Sequence, residues 1–274
     1  MPRKSKIDKE KIMIYEDQFE KKVEEDVNEI KLINNEKTIK NKLSERTIFA
    51  TVLILIVIPI TIAFGVFVLN DRKYYFISML IVLYTMIPFF MVFEKKKPQA
   101  RELIIISVLA AIAVAGRGAF FMIPQFKPVV AIVIISGVCF GAESGFLVGS
   151  MTGFVSNFFF GQGPWTPWQM FSFGIIGFLA GILFKKGMLK KTRLPLCIFG
   201  GVSTFVIYGI IMNTASLFMF SSKITFKALM TFYISGISFD AIHAIATVFF
   251  LFIISDPMIE KLDRIKIKYG LIER

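Results

Sequence analysis

Residues 128–160 read PVVAIVIISGVCFGAESGFLVGSMTGFVSNFFF, with Glu143 as their only charged side chain. Hydrocarbon about 30 Å thick is crossed by roughly 20 apolar helical residues, so the stretch is either one overlong helix or two short ones turning at Gly141–Gly145. That choice fixes the sidedness of everything downstream. Read as two helices, the basic blocks at 95–101, 185–193 and 261–274 fall on the same side as the charged segment 1–46, and that side then holds most of the 32 Lys/Arg. Read as one, Lys185, Lys186, Lys190, Lys191 and Arg193 would face outward, against the bias of cytoplasmic loops toward cations. Two helices are therefore expected, short because neighbours shield them.

Working outward, the chain of 274 residues is 55% apolar with 31 Phe, more than a soluble domain carries. Apolar runs occupy Thr47–Leu69, Tyr74–Phe93 and, after the basic stretch Lys95–Arg101, about 102–118, 128–141, 145–160, 169–184, 195–220 and 226–254. In lipid each backbone polar group must be satisfied within its own segment, which selects helices. The expectation is an all-α integral membrane protein of the cell membrane, with eight spans and both termini inside. Its parts are a charged cytoplasmic tail (1–46), an N-terminal transmembrane hairpin (47–97), a six-span core (98–258) and a basic cytoplasmic C-terminal tail (259–274). Within the tail, Phe19, Val23, Val27 and Ile30 recur at helical spacing, but its dense mixed charge gives it no core of its own. The first long apolar run is too far from the start for a cleavable signal peptide, so the amino terminus is expected to persist.

Charge and composition exclude several functions. The net charge of +12 is spent in blocks between apolar runs, which points to membrane lipid and no nucleic acid. Cys139 and Cys197 lie inside apolar runs and read as small buried residues. His243 is the only histidine, so two-histidine zinc motifs are absent, and no GxxxxGK[ST] phosphate loop is present. The chain is expected not to be an enzyme and to bind no metal or cofactor itself. An intramembrane enzyme would need clustered carboxylates and histidines that are missing here. An independent secondary carrier or channel, the other alternative, would be expected to show an internal repeat.

Small residues recur every four positions in two places. Ser107, Ala111, Ala115 and Ala119 line one face of a helix, and Gly137, Gly141, Gly145, Gly149 and Gly153 run through the short hairpin, followed by Gly174, Gly177 and Gly181. Such stripes let helices approach closely, either within the chain or onto another membrane subunit. Segment 159–170, FFGQGPWTPWQM, is expected as a rigid outer loop. Its indoles Trp165 and Trp168 beside Gln162 and Gln169 suit a polar ring-bearing ligand, or else belong to an interfacial aromatic belt. The outer segment 117–127, with Arg117, Phe120, Phe121, Gln125 and a hinge at Gly118, reads as a lid or as snorkelling cations among interfacial phenylalanines. Glu143, Asn157, Asn213, Asp240 and His243 are intramembrane polar residues and so functional candidates. Asp240 and His243, three apart, are placed to bond along one face. From these, Asn157 and Asn213 join the residues of the two outer segments, Arg117 included, as candidate substrate contacts.

With these motifs in place, residues 98–258 resemble the substrate-specific (S) component of energy-coupling factor (ECF) transporters. The carrying segments are Ser107–Gly116, the QGPWTPWQ run Gln162–Gln169 and the glycine-rich 137–153. The resemblance implies a vitamin pocket near the outer face, a lid that includes Phe120, Phe121 and Gln125, and docking through Ser107, Ala111 and Ala115 onto a shared transmembrane coupling subunit. It further implies two cytosolic ATPase partners that consume the ATP, and release by toppling of the whole subunit. The GPWTPWQ run looks most like the cobalamin subgroup. The extra hairpin departs from the six-span pattern.

Overall fold

The computed structural model describes residues 45–68, 80, 84, 100–221 and 225–269. Expectations for segment 1–44 and for most of the hairpin's second arm lie outside these residues. Among the described residues every regular element is helical. α1 is built of Glu45–Val52, a π-helical turn Leu53–Val57 and Ile58–Phe67. α2 is Ala100–Ala119, α3 Val129–Phe140, α4 Ala142–Phe160 and α5 Trp165–Lys185. α6 joins Arg193–Ser203, a π-helical turn Thr204–Tyr208 and Gly209–Phe220, and α7 is Phe226–Tyr269. Among the described residues three stretches are both long and apolar enough to cross a membrane, Trp165–Lys185, Arg193–Phe220 and Phe226–Lys268, and shorter apolar helices accompany them.

The chain breaks within 128–160 at one residue. Gly141 has φ +97°, a region that L side chains avoid and glycine enters freely, so α3 ends and α4 begins there. Gly145, expected to share the turn, is helical. It serves instead in the tightest packing of the molecule. A Cβ added to Gly137 would lie 2.1 Å from the Gly177 carbonyl oxygen, and one on Gly177 would lie 2.4 Å from the Gly145 carbonyl oxygen. One on Gly181 would lie 2.4 Å from the Ala142 backbone. Three backbones therefore touch without side chains between them, and α4 and α5 share the most extensive helix contact. α3 sits in the middle, with Val129 through Cys139 all buried, which explains how a helix of 12 residues holds its place at membrane depth.

The other helices wrap this hub. α2 buries Ile106, Leu109 and Ala113. α1 lays Leu53, Ile54, Ile58 and Ile62 on a separate apolar cluster with Ala142, Phe146, Met170, Ile175 and Phe178, against which Tyr84 also packs. α7, at 44 residues, is roughly 66 Å long at 1.5 Å per residue, far beyond the hydrocarbon thickness. The stretch 259–269, expected as a separate tail, continues α7 without interruption. Lys266 on that extension donates to the Cys139 carbonyl at 2.6 Å and lies 5.8 Å from the Phe140 ring centre, which satisfies an orphan acceptor at the end of α3. Arg193 at the start of α6 pairs with Asp256 of α7.

Two expected boundaries shift. Trp165, Thr166, Pro167, Trp168 and Gln169, read as an outer loop, form the first turns of α5. Pro164 caps the helix and Pro167 is its third residue, where a missing N–H costs nothing because those donors have no intrahelical partner. Gly118, read as a lid hinge, lies inside α2.

Candidate functional site

At the end of the bundle carrying the 120–128 and 161–164 connections, five helices contribute to one polar group. Arg117, in the last turn of α2, donates from Nη1 to Asn157 Oδ1 at 2.7 Å, to Ser156 Oγ and, at 3.4 Å, to Gln169 Oε1. Asn157 Nδ2 donates to Gln169 Oε1 at 2.9 Å and to Thr166 Oγ1 at 3.2 Å. Gln169 Nε2 reaches Tyr208 Oη at 3.4 Å. Tyr208 stacks on Phe173 at 5.2 Å and meets the His243 ring edge-on at 4.6 Å. Ser156, Asn157, Thr166, Gln169, Tyr208 and His243 are all buried. Such groups are costly in an apolar interior unless they bond one another, and the mutual bonding here shows how they are tolerated. His243 Nδ1 has no partner among the described residues.

Local sequence explains each placement. The helix starting at Trp165 turns Thr166 and Gln169 onto one face, and Gln162 holds Thr166 by accepting its hydroxyl proton at 2.8 Å while donating to the Phe154 carbonyl at 3.0 Å. The π-helical turn Thr204–Tyr208 interrupts α6 where Tyr208 joins the group, and such insertions often mark functional positions. The Arg117 guanidinium also lies 4.9 Å from the Phe160 ring centre.

The 120–128 connection covers this end with aromatic contacts. Phe120 packs on Phe126 and Phe250, and Phe121 stacks on Phe160 at 5.3 Å while itself 60% exposed. Gln125 takes φ +55° to turn the chain. Lys127 donates to the Ile123 carbonyl at 3.0 Å. Burial holds its ammonium below the usual lysine range, and the charge of Arg117 lowers it further. Two cations thus share this end of the bundle.

Of the residues expected at a site, Arg117, Asn157, Gln162 and Gln169 come together, with Phe120, Phe121 and Gln125 in the covering connection. Three others are placed apart. Trp165 folds over Gly163, where a Cβ would lie 2.3 Å from the indole. Trp168 faces Phe218 at 5.9 Å, in a small apolar cleft that it shares with Phe67 of α1. Asn213 donates to Asp240 at 2.8 Å, in a pair of its own between α6 and α7. Asp240 therefore bonds across to the neighbouring helix, not along its own helix to His243. Ser156, Thr166 and Tyr208 were missed by sequence reasoning. Tyr208 carried a signal, a phenol inside an otherwise apolar run.

The stripe on α2 has the opposite character. Ser107, Ala111 and Ala115 are exposed, and they border an apolar groove of about 760 Å³ between α2 and α4, whose far wall includes Leu147, Met151, Val155 and Phe159. α1 packs on another side of α4, through Ala142 and Phe146. α1 contributes no residue to the lining of the groove.

Residues 101–255 match the family model described as ECF transporter, substrate-specific component. The chain belongs to this family. It is thus a membrane-integral member of a transport family, and that family is not an enzyme family. Among curated relatives, the S component is 33% identical over 104 residues to a UPF0397 protein of Vibrio atlanticus (strain LGP32), covering 35% of this chain and 57% of that one. It is 31% identical over 112 residues to one of Aliivibrio salmonicida (strain LFI1238), covering 39% and 59%. A relative in Aliivibrio fischeri (strain MJ11) is 34% identical over 88 residues, covering 30% and 48%. The chain spans roughly half the length of the curated relatives it matches. No solved structure matches it.

Proposed function

We propose that this S component captures a vitamin or related micronutrient at the outer face of the cell membrane for ATP-driven uptake. The observation that carries the reading is the buried group of Arg117, Asn157, Gln169 and Tyr208, because polar side chains at membrane depth are expensive and are kept where they serve a ligand or an ion. The end bearing this group faces outward, the chain crosses the membrane eight times, and both termini lie inside. The cations Lys185, Lys186, Lys190, Lys191, Arg193, Lys261, Arg264, Lys266 and Lys268 support that orientation, since they gather in and beside the 186–192 connection and on the extension of α7. Residues 98–258 act as the capture core, the hairpin 47–97 flanks it, and the 120–128 connection closes over the ligand.

The exposed stripe of Ser107, Ala111 and Ala115 is where a transmembrane coupling subunit docks, and two cytosolic ATPases behind it supply the energy. This chain binds no ATP or cofactor. Cobalamin is the first candidate ligand, on the likeness of the GPWTPWQ run. Vesicles holding the chain with a coupling subunit and its ATPases are expected to accumulate radiolabelled cobalamin only when ATP is present on the ATPase side. Accumulation without ATP would make the chain a secondary carrier, and uptake of other vitamins but not cobalamin would remove the ligand assignment alone. A cysteine at Met188 is expected to resist an impermeant maleimide in intact cells while one at Phe121 reacts; the reverse pattern would overturn the orientation.

A further inference from the structure

Arg117 is a partly buried cation whose hydrogen-bond partners among the described residues are all neutral. Ser156, Asn157 and Gln169 supply oxygen dipoles and Phe160 a ring face, but among the described residues no carboxylate pairs with it. Asp240, also on the spans beside Tyr208, commits its carboxylate to Asn213. The C-terminal turns of α2 and α4 add partial negative charge, which helps to hold the guanidinium in place but falls off within a turn and does not neutralise it. Arg117 also depresses the affinity of Lys127 for its proton, so the field at this end of the bundle is positive. His243 Nδ1, buried across the Tyr208 ring, has no partner among the described residues.

An unneutralised cation in a low-dielectric site is costly, and the cost is recovered when a ligand supplies the opposite charge. The planar guanidinium fits carboxylate and phosphate oxygens in two-point geometry. Two of the contacts that close the group, Arg117 to Gln169 and Gln169 to Tyr208, are long at 3.4 Å each. They are weak enough to be exchanged for contacts to a ligand.

Resting on the function proposed above, we infer that the captured molecule carries an anionic group, a carboxylate or a phosphate, which Arg117 receives while Asn157 and Gln169 orient it. A ligand whose polar groups are all neutral or cationic does not satisfy this site.

The test uses the full chain in detergent, incubated with an equimolar mixture of biotin, pantothenate, nicotinate, folate, cobalamin, riboflavin and thiamine. The molecules retained after gel filtration are identified by mass spectrometry. The first four present carboxylates and cobalamin a phosphodiester, whereas riboflavin is neutral and thiamine cationic, so the retained molecule also tells the two acid types apart. The wild type is expected to retain an acid-bearing member. Arg117→Gln should weaken its retention by about 30-fold or more, the range for breaking one partner of a buried charge pair, and Arg117→Lys should restore part of it.

Gln169→Glu keeps the acceptor oxygen but gives Arg117 an internal counter-ion. It is expected to lose the acid equally while remaining monodisperse, with a melting temperature at or above that of the wild type. A purely structural Arg117 would leave retention in Gln169→Glu unchanged. Retention of riboflavin or thiamine alone, or equal retention of the acid by wild type and Gln169→Glu, overturns the inference while leaving the capture function intact. A wild type that retains nothing overturns both.

Discussion

Two stripes of small residues, each repeating every four positions, have opposite fates in this molecule. The glycines of α3, α4 and α5 are consumed inside the fold, where Gly137, Gly145, Gly177 and Gly181 bring three backbones into contact. Ser107, Ala111 and Ala115 of α2 stay exposed and border an open groove. The spacing is the same and the chemistry nearly so. What differs is how close the approach can be: glycine admits backbone to backbone, whereas alanine and serine keep a Cβ between the helices. A stripe in a sequence says that a helix can approach closely; only the packed structure shows whether one already has.

The comparison can be broken most forcefully at its tightest point. Gly177→Ala places a methyl against the Gly145 carbonyl, and since backbone cannot yield cheaply, destabilisation of at least about 3 kcal/mol is expected, at the top of the overpacking range. Loss of monodisperse protein after extraction, or a collapse of the thermal transition, would register it. Trp168→Ala should cost less, about 2 kcal/mol for truncating a half-buried indole, and should leave ligand retention unchanged because the ring faces Phe218 and Phe67 rather than Arg117. A matching loss of ligand would return Trp168 to the site. Gly153→Ala probes the slack end of the glycine series, where the added Cβ meets Met170 at 3.1 Å; a cost of about 1 kcal/mol is expected, readable as a small downward shift in melting temperature. Ala115→Ser, on the open stripe, should change stability by less than about 0.5 kcal/mol, as surface changes do. A cost as large as that at Gly177 would mean that the stripe is already occupied.

Much of the helical plan was legible because lipid leaves few choices. Apolar runs at 102–118, 195–220 and 226–254 each became helix, and the break in 128–160 followed from the distribution of lysines together with a glycine free to take positive φ. The proline-rich 164–167 misled for a physical reason: proline marks loops and first helical turns alike, and the residues after it decide which. The candidate site was half legible. Asn157 stood out as a polar residue within an apolar run, and Arg117 and Gln169 as members of the two outer segments, yet their partners Ser156 and Thr166 are too common in helices to signal anything, and Tyr208, though a phenol in an apolar run, sits in a π-helical turn that the sequence does not announce. Trp168 and Asn213 were chosen by proximity in sequence and by polarity, and neither property reveals which face of a helix a side chain takes.

The account rests on a division of labour, with ligand held at the Arg117 end and a partner received along α2. Ala111→Trp separates the two, since it fills the groove without touching the polar group. In vesicles with the coupling subunit and ATPases, ligand binding and ATP-driven uptake should be measured on the same preparation. Uptake is expected to fall to background while binding stays within about twofold of wild type, as for a change remote from the pocket. Uptake that survives, or binding that falls with it, would contradict the account.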